Sequence, residues 1–124
     1  MGLGKAGFET ESFNPNDIIA GAAHIHDEPI VLASGQNLIR GAVLGKITAS
    51  GKCVLSLAAA EDGSEDPVGI LQDDTDASAA DKKTSIMLSG EFDQALLTYG
   101  TGHNAASVKA AFAGKGIWLV ATTA

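Results

Sequence analysis

From residue 18 to residue 57 the apolar positions fall in short runs, at residues 29–32, 42–44 and 53–57, separated by turn-forming stretches at 33–35 and 49–52. Short apolar runs bounded by Gly and Ser predict short β-strands, and their spacing predicts a β-rich sandwich, clip or small barrel rather than alternating βαβ units. In the third run Cys53, Leu55 and Leu57 share one side of an extended chain, which places Cys53 in the core as an inert thiol. An acidic loop at 58–67 leads to an apolar strand at 68–71, and a polar loop at 72–83 follows. Over 84–92, Thr84, Ile86 and Leu88 alternate with Ser85, Met87 and Ser89, the period-two signature of a half-buried strand.

The period changes near residue 104. Ala105, Val108 and Phe112 fall at i, i+3 and i+7, Asn104 is a competent N-cap and Gly114 a competent terminator, so residues 104–113 are predicted to be a helix. A helix of about ten residues is marginal alone and must pack its Val108 and Phe112 face onto the sheet. An apolar strand at 116–120 closes the pattern. At the other end, residues 1–17 hold three glycines and only Leu3, Phe8 and Phe13 as large apolar groups. They read as a flexible N-terminal arm, 1–17, ahead of a single β-rich domain, 18–124. Within the arm Phe8, Thr10 and Ser12 alternate with Glu9, Glu11 and Phe13, an order that suits strand addition to a sheet edge elsewhere.

Composition narrows the function more than the fold. A chain of 124 residues that is 45% hydrophobic can form one core without metal or disulfide staples. Its net charge is −7, and eight acids lie between Glu61 and Asp81 with no base among them, which argues against nucleic acid as a partner. No apolar run approaches the roughly 18 residues needed to cross a bilayer, and the first residues lack the apolar core of a signal peptide. Neither a membrane nor a targeting route is expected. The single cysteine, Cys53, forbids an internal disulfide. After Asp93 the only charged residues are Lys109 and Lys115, so this segment, with Tyr99, Phe112 and Trp118, is expected to lie in the core or against a neighbouring subunit.

The candidate chemistry is thin. One G-x-G-x-x-G pattern begins at Gly2, where no strand can precede it, and a related one ending in Ala105 begins at Gly100, where no acid follows to bind a ribose. His24 and His26 could share one side of a strand with Asp27 or Glu28 nearby, but two imidazoles do not make a metal site. Asp73, Asp74 and Asp76 lack the glycine and the distal glutamate of a calcium loop. No nucleophile elbow is present and Cys53 sits mid-strand. The chain is therefore read as a protein without catalytic residues, cofactor or metal.

Three segments, residues 67–71 (Pro67, Val68, Gly69, Ile70, Leu71), 89–92 (Ser89, Gly90, Glu91, Phe92) and 109–120, resemble in order and spacing the bacteriophage head decoration proteins, the lambda protein D family. Residues 40–45 followed by 51–55 resemble the upstream part of that family, so the likeness spans about 30–120. It implies a mainly β, β-clip-like fold with one or two short helices, assembled as a homotrimer. It further implies a capsid decoration protein that cements the outer surface of an expanded phage head at local three-fold positions, on the virion after synthesis in the bacterial cytoplasm. Its partner would be the major capsid protein, reached through the arm residues Phe8, Glu9, Thr10, Glu11, Ser12 and Phe13. The competing reading is a small trimeric β-domain that binds a small ligand or carbohydrate, against which the 5% aromatic content weighs.

Overall fold

The computed structural model describes residues 17–21 and 24–121, so the arm residues Phe8 to Phe13 lie outside the described residues. The chain is mainly β with one short helix. Five strands close a small barrel in the order β1 (Asp27–Leu32), β4 (Cys53–Leu55), β3 (Val43–Lys46), β5 (Pro67–Leu71) and β7 (Lys82–Met87). Its pairings are antiparallel except at the closing seam, where β1 and β4 meet in parallel at Leu32 and Cys53. A two-stranded sheet, β2 (Gln36–Leu38) with β6 (Thr75–Ala77), covers one side. A second, parallel sheet joins β8 (Gly90–Asp93) to β9 (Ile117–Val120), and the helix α1 (Ala105–Phe112) packs on β9 and β5.

The barrel wall explains why several strands read as unbroken apolar runs. Leu32, Leu44, Cys53, Leu71 and Ile86 fill the barrel interior, while Val43, Ile70 and Met87 point the other way, into a second core with Phe92, Leu97, Val108, Phe112, Ile117 and Leu119. A strand buried on both faces carries no period-two signal. The expectation of one half-buried strand over 84–92 is corrected for this reason. Ile86 and Met87 are both buried, each in a different core. The chain then breaks after Met87, and Gly90, at φ +137°, starts β8 in a conformation that side chains avoid.

The run 53–57 is shorter than its apolar pattern implies. β4 ends at Leu55 because Ser56 turns inward, its N–H bonding the Val43 carbonyl and its hydroxyl the Ser64 carbonyl at 2.7 Å. Cys53 is buried in the barrel and its thiol pKa is raised by that burial, whereas Leu57, expected on the same inward face, is exposed. Two three-residue strands, β2 and β6, are polar and carry no apolar pattern; β6 lies in the expected loop 72–83. His24 and His26 precede β1 instead of lying in it.

The helix forms where its local signals place it. Asn104 accepts from the Ser107 N–H, and the Ser107 hydroxyl accepts from the Asn104 N–H, a reciprocal cap. Val108 and Phe112 are buried, and Gly114, at φ +78°, follows the last turn. The acidic loop is held close to the barrel at Gly45, where a Cβ would overlap the backbone of Ser64. Gly45→Ala is expected to lower stability by about 2–3 kcal/mol through that clash, read as a fall in the denaturation midpoint at unchanged slope.

Candidate functional site

Residues 18–20 join the fold through one short stretch. Ile19 bridges Phe92 in antiparallel fashion, the Ala20 N–H donates to the Glu91 carbonyl, and the Asp93 N–H donates to the Ile18 carbonyl. Ile18 is itself buried in the second core. These residues thus extend the β8–β9 sheet by a third, partial strand, with β8 in the middle.

Asp17, just ahead of that stretch, is itself held in place. The Arg40 guanidinium donates to both carboxylate oxygens of Asp17, at 3.0 and 3.1 Å, and its third donor reaches the Gln72 carbonyl at 2.7 Å. The Arg40 N–H donates to Asp74, which ties the same residue to the start of β6. This hydrogen-bonded guanidinium holds the Asp17 carboxyl below its ordinary pKa, against the opposing effect of partial burial. Sequence reasoning missed this clasp. One signal was available: Arg40 is the only arginine among eight basic residues, and a two-pronged carboxylate contact is the geometry that lysine cannot supply.

The β8–β9 sheet presents two faces. Gly90, Phe92, Ile117 and Leu119 turn toward the core, and the paired Glu91 and Trp118 turn outward. Trp118, the only tryptophan, is 56% exposed on an ordered strand. Of the other two residues of the expected contact or core set, Phe112 is wholly inside, and Tyr99 is half-buried against the same core with its hydroxyl donating to the Gln94 carbonyl at 2.7 Å. Ile39 and Leu96 are also exposed, and Leu96 lies near Gly41, beside the arm root.

A buried polar knot lies on the other side. Ser56 Oγ is 3.2 Å from His103 Nε2, and His103 Nδ1 is 3.0 Å from Ser107 Oγ. That spacing is of the kind used by hydrolytic serines, but Ser56 is 0% exposed and its hydroxyl donates to the Ser64 carbonyl. The arrangement ties the acidic loop to the start of α1. Gly100 and Gly102 make the turn ahead of it, the His103 N–H donating to the Gly100 carbonyl.

Several acids of the loops are engaged, some in local turns and some with distant partners. Asp62 accepts from Ser64 and Asp76 from Ser78, and these hydroxyl bonds lower both carboxyl pKa values; Asp81 is lowered first by Lys52 and then by the Ser34 N–H. Among the described residues no group of three or more His, Cys, Asp or Glu is placed to hold a metal, and His26 Nε2 sits 3.3 Å from Glu28 instead. An apolar hollow of about 260 Å³ against Pro29, Ile30, Val31 and Lys83 falls below the usual volume of small-molecule sites. No described helix is long and apolar enough to cross a membrane.

A sequence model for bacteriophage lambda head decoration protein D matches residues 9–117. The chain belongs to this family. No curated protein matches it closely enough to count as a relative. As a head decoration protein it is a structural component of the phage head. The family match includes the arm root and the clasp and stops one residue short of Trp118.

The depressed pKa of Asp17 sets a sign for its pH dependence. Its contribution to stability is present above the unfolded value of about 3.9 and is lost as pH falls through the lower folded value. Asp17→Asn is therefore expected to cost about 1–2 kcal/mol at pH 7 and progressively less below pH ~4. Thermal unfolding of both proteins across pH 2–7 checks the convergence.

Proposed function

We propose that this protein binds the outer surface of an expanded phage head as a homotrimer at local three-fold positions and stabilises the shell, with the major capsid protein as its partner. The family match over residues 9–117 carries the reading. The domain supplies a rigid β scaffold on residues 18–124, and residues 1–17, with Phe8, Glu9, Thr10, Glu11, Ser12 and Phe13 at their centre, supply the capsid-binding arm. The protein is made in the host bacterial cytoplasm and acts on the virion exterior.

The physics of a multivalent cap supports this assignment. Three linked arms bind at high mutual effective concentration, so modest contacts at each arm give tight attachment overall. The Asp17–Arg40 clasp holds each arm's base at a fixed place on the scaffold, which reduces the entropy lost when the arm orders. Three chains at −7 carry a charge of −21, which keeps an abundant free protein soluble and away from packaged nucleic acid.

Removal of residues 1–16 leaves Asp17 and its clasp in place. The truncated protein is expected to keep its fold and assembly state but to lose at least tenfold in binding to expanded cognate heads, measured by co-sedimentation. The full chain is expected to pellet with expanded heads and to stay in solution with unexpanded ones. Equal binding by the truncated protein would refute the role given to the arm.

A further inference from the structure

The outer wall of the barrel is covered along only part of its length. Val43, Ile70 and Met87 point from it into the second core. Pro29 and Val31 on β1 share that outer side, because Asp27, two residues before Pro29, is registered with Met87. Lys83 stands across from Val31 on β7, and Ser85 across from Pro29. The second core stops short of them: Pro29 is exposed, Val31 is half-buried, and neither belongs to a core cluster. The apolar hollow of about 260 Å³ lies here, against Pro29, Ile30, Val31 and Lys83. It has room for one aromatic ring, which needs roughly 150 Å³. Lys83 is exposed and forms no ion pair among the described residues.

The chain carries a segment of matching pattern just ahead of Asp17. Glu9, Glu11 and Phe13 fall on one side of an extended chain. Asp17 itself is anchored close to the hollow. Arg40 bridges its carboxylate to the Gln72 carbonyl, the Gln72 N–H donates to the Ser85 carbonyl at 3.0 Å, and Ser85 is registered with Pro29. With neighbouring strands roughly 5 Å apart, this route puts Asp17 within about 20 Å of Pro29. The extended chain from Asp17 back to Phe13, with the phenylalanine side chain added, covers about that distance, and the chain back to Phe8 covers about 30 Å. The order matches as well. Leading away from Asp17 the segment offers Phe13 and then Glu11, and leading away from Ser85 the wall offers Pro29 and then Val31 beside Lys83.

We propose that residues 8–13 of the same chain lie along this wall in the free protein, with Phe13 in the hollow and Glu11 paired with Lys83, and leave it when the protein docks on a phage head. The tether at Asp17 supplies an effective concentration in the millimolar range, so a weak contact suffices within one chain. The contact covers a strand-competent segment that is otherwise open to pairing with other copies. Its role rests on the reading of residues 8–13 as the capsid-binding segment; the contact itself does not.

The test compares the full wild-type chain with Lys83→Glu by nuclear magnetic resonance and by digestion with a glutamate-specific protease, which cuts after Glu9 and Glu11. The wild type is expected to show a nuclear Overhauser contact between the Phe13 ring and the Val31 methyls that is unchanged on dilution. Lys83→Glu is expected to lose that contact and to be cut at the two sites at least fivefold faster. Adding Glu11→Lys to Lys83→Glu is expected to restore the contact. Absence of the contact, with equal cutting of both proteins, would overturn the proposal. A contact seen only between differently labelled chains would overturn it in favour of a second copy as the occupant. Co-sedimentation with expanded heads is a separate readout, in which Lys83→Glu is expected to pellet at least as well as the wild type. A chain that shows the contact but fails to pellet would overturn the capsid reading and leave the contact standing.

Discussion

The burial of Phe92 at the middle of β8 is the constraint on which the functional surfaces depend. Its backbone is bridged to Ile19 on one side and to Leu119 on the other, and its ring is wholly inside the core formed by Val43, Ile70, Met87, Val108 and Phe112. One residue thus links the arm root, the sheet that displays Trp118 and the outer wall of the barrel. Because alternate residues on a strand face opposite ways, placing Phe92 inward obliges Glu91 to face outward, and the parallel register then sets Trp118 beside it.

Signals that are local in the chain were legible in the sequence. The helix at 105–112 was readable because its cap, its apolar spacing and its terminating glycine all lie within eleven residues of one another. Cys53 was readable as a core residue for a similar reason, since it sits in an apolar run flanked by turns. The break between β7 and β8 was not readable, because Ile86 and Met87 are buried in separate cores and the alternation of their neighbours suits one continuous strand equally well. Ser56 likewise ends β4 through a partner eight residues away, in a loop whose acidity marked it only as solvated.

The site was legible only in outline. A nearly uncharged final quarter containing Trp118 could be read from composition. The clasp could not, because Asp17 and Arg40 are 23 residues apart and meet only once Ile18 is buried and β3 is in place. The exposure of Trp118 was equally hidden. A tryptophan in the run 116–120 reads equally as core or as a contact with a neighbouring subunit, and only the register with β8 turns it outward while Ile117 and Leu119 turn in.

The charge pattern follows from the same division of labour. The acids between Glu61 and Asp81 are largely spent on turns and on Arg40 and Lys52, so they shape loops and keep the exterior anionic. An anionic exterior of this kind suits a structural component of a phage head. The most direct measurement of the central claim is a cryo-electron-microscopy reconstruction of expanded cognate heads saturated with the protein. The account predicts added density on the exterior at the local three-fold positions, with three copies in each cap. Added density at other positions, or bare heads at saturating protein, would contradict it.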